Sequence, residues 1–109
     1  MILIDGASVS SAEEFAGALQ AIDRAVIVGE RSPGRVLVGD LMELPNGLFL
    51  MYPVEQTITA DGTVLEGRGV VPDIPVGLDR DLLLQGVDSQ LQAAIEYLKE
   101  DNQEIESSW

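Results

Sequence analysis

The sequence has no cysteine and no histidine, and its only lysine is Lys99. Without cysteine there is no disulfide framework, no thiolate nucleophile and no thiolate metal site. Without histidine, the commonest general base and transition-metal ligand is missing too. No apolar run approaches the roughly 18 to 20 residues that a membrane-spanning helix needs. Basic side chains are scarce, 6 against 19 acidic ones, for a formal net charge of −13. That sign repels phosphate backbones and argues against nucleic acid as a partner. Chemistry done by this chain alone is restricted to hydroxyls, carboxylates, the amines of Lys99 and the N-terminus, and the backbone. Paired carboxylates at metal-binding or acid–base spacing are not found, so no metal and no cofactor are expected.

What is present describes one α/β domain. At 109 residues and 46% hydrophobic content, the chain is long enough for a single buried core. Ile2 to Ile4 reads as a short buried strand ending in an Asp5-Gly6 turn. Phe15, Ala18, Leu19 and Ile22 then recur at spacings of three and four, predicting a helix from Ser10 with that stripe as its apolar face. Ala25 to Val28 predicts a second strand, completing a βαβ unit with a parallel pair. A glycine-containing loop covers Gly29 to Arg35. Val36 to Leu44 and Leu48 to Thr59 are strand-rich around a Pro45-Asn46-Gly47 hairpin turn, and a second turn is expected at Ala60-Asp61-Gly62. Glu66 to Pro75 reads as an irregular connector, with Asp73 an ordering residue. Asp79 opens a short helical turn over Leu82 to Leu84. A last helix is expected over about Ser89 to Glu100, with Leu91, Ala94, Ile95 and Leu98 on one face. The domain spans residues 1–100. Residues 101–109 read as an acidic tail, because five acids from Glu96 onward face only Lys99. Nothing at the N-terminus reads as a signal peptide.

Ser8, Ser10 and Ser11 sit at the strand-to-helix junction. Ser10-Ser11-Ala12-Glu13 matches the S-x-x-E capping box, and Ser11 with Glu14 matches equally well. The functional alternative is a nucleophile placed where the free N–H groups and dipole of a helix N-terminus can stabilise a developing oxyanion. Such a serine needs a base. Both readings stand on these residues.

Longer motifs carry a resemblance. The stretch from Ser8 to Gln20 (SVSSAEEFAGALQ) resembles the nucleophile helix of the carboxyl-terminal (tail-specific) processing proteases, close to S-A-S-A-S-E-I-F-A-G-A-L-Q. Arg24 to Arg35 resembles that family's R-A-x-x-V-G-x-x-T-F-G-K. Leu44-Pro45-Asn46-Gly47 is similar to its L-P-D-G hairpin, and Glu66 to Val76 to its I-x-G-x-G-V-x-P-D-x-x-V closing segment. The resemblance implies a ClpP/crotonase-like fold with a mixed sheet, here a C-terminal portion of the catalytic domain. It implies a serine peptidase acting near the C-termini of protein or peptide substrates, in the cell envelope or outside the cell. Ser10 falls at the nucleophile position, Glu13 at that of a supporting glutamate, and Arg35 at that of the lysine base.

Three positions depart from the pattern besides Arg35: Pro33 for phenylalanine, Val36 for glycine, and Gly39 for a supporting glutamine. The arginine is the decisive one. Burial can lower the pKa of a lysine ammonium by several units and make it a base, whereas guanidinium keeps its proton. As a fixed cation, Arg35 could orient Glu13 or bind a substrate carboxylate; it could also be an ordinary exposed loop arginine. Relatives resembling the tricorn core protease take a histidine from an upstream segment instead. Two expectations follow: a peptidase domain inactive as this chain, or a non-catalytic peptide-binding or assembly module. Its partners would be a polypeptide and either further copies of itself or an N-terminal half-domain.

Overall fold

A computed structural model describes residues 1–107 of the chain. Strand β1 (Ile2–Ile4) leads through an Asp5 turn into helix α1 (Ser11–Ala21), and β2 (Ile27–Gly29) returns beside β1. The two pair in parallel, Ile2 opposite Ile27 and Ile4 opposite Gly29. This is the expected βαβ unit. A hairpin follows, β3 (Val38–Glu43) against β4 (Phe49–Glu55). Then come β5 (Ile74–Pro75), α2 (Arg80–Leu84) and α3 (Ser89–Ser107). Parallel and antiparallel pairings are both present, in separate ladders: a parallel sheet in the order β1-β2-β5, and the β3-β4 ribbon. Among the described residues no helix is long and apolar enough to cross a membrane.

Local chemistry explains most boundaries. Asp79 caps α2, its carboxylate accepting from the Asp81 and Leu82 amides at 2.9 and 3.0 Å. Asp88 does the same for α3, toward Gln90 and Leu91. The hairpin reverses where Pro45-Asn46-Gly47 places it, with the Gly47 amide donating to the Leu44 carbonyl at 2.9 Å. The Gly62 amide closes the second turn on the Thr59 carbonyl at 2.9 Å. Asp73 orders the closing segment as expected, accepting from the Ile27 amide at 2.7 Å and from Gln20 Nε2 at 2.8 Å.

The core is small: Ile4, Ala16, Ile27, Val36, Leu65 and Val70, with Ile2 and Ala25 packed against it. Three expectations fail here. First, the buried face of α1 is not the Phe15–Ile22 stripe. Phe15 is 62% and Ile22 57% exposed, while Glu13, Ala16 and Gly17 face the core. Gly17 decides this, because a Cβ there would lie 3.0 Å from a Leu65 methyl. The helix lies close against Leu65 and Val70 along its small-residue face, leaving the larger stripe bare. Second, Ile74–Pro75 forms a strand within the supposed connector, because β2 offers it a parallel edge. Third, α3 does not stop at Glu100 but continues through the supposed tail to Ser107. Residues 108–109 of that tail lie outside the described residues. Of its expected face only Ala94 is buried, while Leu91 and Leu98 remain nearly half exposed.

The chain is spread out. Its radius of gyration is 18.2 Å, against about 13 Å for a compact domain of this length. Its extents are 67 × 37 × 16 Å. The hairpin accounts for much of this, since every residue of β3 and β4 is exposed. Its faces carry Leu41, Met51 and Phe49 on one side and Met42, Leu50 and Tyr52 on the other.

Two glycines at positive φ, 125° at Gly29 and 78° at Gly47, should respond very differently to substitution. A Cβ on Gly29 would sit 2.0 Å from the Ile4 carbonyl oxygen, whereas one on Gly47 meets nothing within 4 Å. Urea denaturation of Gly29→Ala should show a loss of more than about 3 kcal/mol. Gly47→Ala should lose only about 1 kcal/mol, the cost of its positive φ.

Candidate active site

The end of β1 and the start of α1 bring the serines into one short stretch, and the backbone treats them differently. Ser8 is held by the turn: its Oγ donates to Asp5 Oδ1 at 3.0 Å and accepts the Asp5 amide at 3.1 Å. Ser10 is exposed and has φ 59°, ψ −126°. Helix-capping serines are ordinarily extended, with negative φ, and a non-glycine residue at positive φ costs about 1–3 kcal/mol. Both reciprocal contacts of the expected capping box are nonetheless present. Glu13 reaches back to the Ser10 amide at 3.1 Å, but the Glu13 amide donates to the Ser10 carbonyl at 2.8 Å. Ser10 Oγ faces that amide without a bond of good geometry.

Glu13 is the centre of the arrangement. Its side chain is wholly buried and accepts four hydrogen bonds. Oε1 receives Ser32 Oγ and the Gly34 amide, both at 2.6 Å. Oε2 receives the Arg35 amide at 2.8 Å and the Ser10 amide at 3.1 Å. A carboxylate has about four lone-pair sites, so its accepting capacity is filled. Burial by itself raises the pKa of this carboxyl. The bond from Ser32 and those from the Arg35, Gly34 and Ser10 amides outweigh it and hold the pKa below the usual 4.5. Its place in the first turn of α1 favours the negative charge further.

Arg35 lies beside Ser10 through the backbone: the Ser10 amide also donates to the Arg35 carbonyl at 3.1 Å. The Arg35 side chain is exposed. Ser10, Glu13 and Arg35 are thus brought together. Gly39 is carried away on the hairpin and contributes no side chain. Pro33 and Val36 flank the Gly34-Arg35 pair, with Val36 built into the core.

Two residues of the arrangement escaped the sequence reading. Ser32 is buried, donates to Glu13 and accepts the Val70 amide at 2.8 Å. The threonine of the quoted T-F-G-K pattern falls on it, which was the available signal. Glu66 Oε2 accepts the Val36 and Leu37 amides at 2.8 and 3.1 Å, fixing the chain just past Arg35. Glu66 is the residue that opens the closing segment. Glu14 accepts Thr57 Oγ1 at 2.5 Å and ties the base of the hairpin to α1. Among the described residues no cluster of acidic side chains is placed to hold a metal ion.

Residues 1–76 match the model of peptidase family S41. The chain belongs to peptidase family S41. A carboxyl-terminal-processing protease of Picosynechococcus is 33% identical to it over 106 residues, covering 93% of this chain and 25% of the relative. The solved photosystem II D1 C-terminal processing protease superposes with a TM-score of 0.60 at 31% identity, covering 68% of this chain and 19% of that one. The tricorn protease shares the fold, with a TM-score of 0.71 at 20% identity over 91% of this chain and 10% of its own. The chain spans a quarter or less of the curated S41 relatives it matches.

Two results should follow from this geometry. Ser10→Gly should be about 1 kcal/mol more stable than Ser10→Ala in urea, because only glycine relieves the positive φ; equal stabilities would contradict the strain. For Glu13, the folded carboxyl ionises at lower pH than the unfolded one. Its contribution is fully present above about pH 4.5 and is lost as pH falls through the lowered folded value. Glu13→Gln puts an amide donor among donors and should cost about 2–4 kcal/mol at neutral pH. It should also flatten stability below pH 4.5 relative to the parent.

Proposed function

We propose that this chain carries the nucleophile region of an S41 serine peptidase, with Ser10 as the nucleophile, and that on its own it binds peptide without turning it over. The positive φ of Ser10 carries this reading. Helix capping ordinarily goes with negative φ, so capping does not account for this conformation. A serine lifted on a strained strand-to-helix turn has its hydroxyl exposed for attack. The amide of Ser11, first in α1, has no carbonyl partner within the helix and is suited to an oxyanion. The names of the curated relatives suggest the C-terminal region of a polypeptide as substrate. Such a substrate would lie as an added strand beside the sheet.

The missing element is a base. Arg35 keeps its proton. Glu13 is no substitute, since its acceptor sites are filled and its pKa is lowered, the reverse of a base poised near neutral pH. The two amines belong to the other side of the fold. Met1 lines a cavity of about 450 Å³ with Tyr97 and Leu98, at the amino end of β1, whereas Ser10 follows its carboxyl end. Turnover therefore requires a base from another segment or subunit.

A non-catalytic assembly module is the rival. The exposed apolar faces of the hairpin and of α1 favour it, because surfaces of that kind take a partner polypeptide. A fluorophosphonate probe with intact-mass detection separates the two. The account expects no turnover of unfolded protein and slow labelling confined to Ser10 and absent from Ser10→Ala; no labelling of the parent chain supports the module. Turnover by the purified chain that disappears in Ser10→Ala would refute the missing base.

A further inference from the structure

We infer that the outer edge of β3 pairs, antiparallel, with the same edge of a second copy of this chain, with the two-fold axis at Leu41. This surface is separate from the one around Ser10 and does not depend on the role of that serine. In an antiparallel ladder, residues alternately turn their N–H and C=O groups toward the partner strand and away from it. The Leu44 amide donates to the Leu48 carbonyl at 2.8 Å, so in the register of the hairpin Met42 and Asp40 also point toward β4. Glu43, Leu41 and Gly39 point outward. The Leu41 amide agrees with this, since it donates to Asp40 Oδ1 at 2.8 Å. The hairpin is a sheet of two strands, so among the described residues no strand lies beside that outer edge.

The two edges of the hairpin differ. Pro53 stands opposite Gly39, and its nitrogen, which has no hydrogen to donate, therefore lies on the outer edge of β4. The register shift next to it leaves Val54 as an extra residue. Proline and bulges close an edge to pairing, whereas β3 has no proline and runs in regular register over residues 39–43. One open edge and one closed edge give a contact that joins two copies and stops there.

Charge selects the register. The hairpin has no basic side chain, and the acids of β3 are Asp40 and Glu43. Like charges directly opposite each other are destabilising, so an axis at Asp40 or at Glu43 is disfavoured. An axis at Met42 sends Gly39 opposite Pro45, which has no amide. An axis at Gly39 runs past the end of β3 to Leu37, whose amide is held by Glu66. With the axis at Leu41, Asp40 meets Met42, Gly39 meets Glu43, and Leu41 meets itself. Every outward residue of β3 then faces another, each such pair exchanging two hydrogen bonds, and the Leu41 amide passes from Asp40 to a carbonyl of the other copy. This self-complementarity is what selects a second copy as the occupant. Leu41, 58% exposed, is covered in the process, and a marginal two-stranded ribbon becomes part of a four-stranded sheet.

Sedimentation of the full chain and cysteine trapping test the pairing. The chain should form a concentration-dependent dimer that tightens as salt screens its net charge of −13. The sequence has no cysteine of its own, so single cysteine variants report without background. Under mild oxidation, Leu41→Cys should give a disulfide-linked dimer at least about tenfold faster than Met51→Cys. Paired Cα atoms at the axis lie about 5.5 Å apart, within disulfide reach, whereas those of residue 51 lie three strand spacings apart, about 14 Å. Leu41→Lys and Leu41→Glu change an exposed residue outside the core. Each should weaken the dimer about tenfold, and an equal mixture of the two should restore it. A chain that stays monomeric in high salt overturns the inference. So does equal trapping at the two positions, an affinity indifferent to both Leu41 substitutions, or an assembly that grows beyond two copies.

Discussion

Everything near Ser10 depends on one buried carboxylate. Glu13 draws donors from the start of its own helix and from the loop between β2 and β3. Through Ser32 it also holds the Val70 turn. Removing an ionised group from water is costly, and four charge-assisted bonds offset the cost here. The result is a rigid frame for a serine whose backbone conformation needs external support. The same saturation sets a chemical limit. A group that organises four donors as an anion cannot also accept a proton readily, so the frame holds the nucleophile without activating it.

Much of this architecture was legible in the residues. The βαβ unit, the turns at Gly47 and Gly62, and the Asp79 cap follow from patterns that act within a few residues. The juxtaposition of Ser10, Glu13 and Arg35 was legible only through motif resemblance, since 25 positions separate the serine from the arginine and no periodicity links them. The face of α1 was misread for a physical reason. Periodicity finds the larger apolar stripe, but the space beside Leu65 and Val70 admits only Ala16 and Gly17. Ser32 was legible only through that same motif, because a small hydroxyl residue in a glycine-containing loop looks like turn chemistry until its buried acceptor is known. The extent of α3 was misjudged because the run of acids reads as a tail, although glutamate is a good helix former.

The chain's charge and shape bear on the same question. An overall charge of −13 disfavours self-association at long range, whereas the uncovered apolar surface favours contact at short range. A thin body with a protruding ribbon buries little area, and an isolated two-stranded hairpin is marginal in water. The Glu13 frame sits where the small core, the parallel sheet and the loops meet, apart from that ribbon, so the arrangement around Ser10 does not depend on what covers the hairpin.

The most direct test is a carboxyl-carbon NMR titration of Glu13 in the intact chain. The account predicts a midpoint below the usual glutamate value and no further titration between about pH 5 and 8. A midpoint raised toward neutrality would make Glu13 a competent base for Ser10 and contradict the central claim.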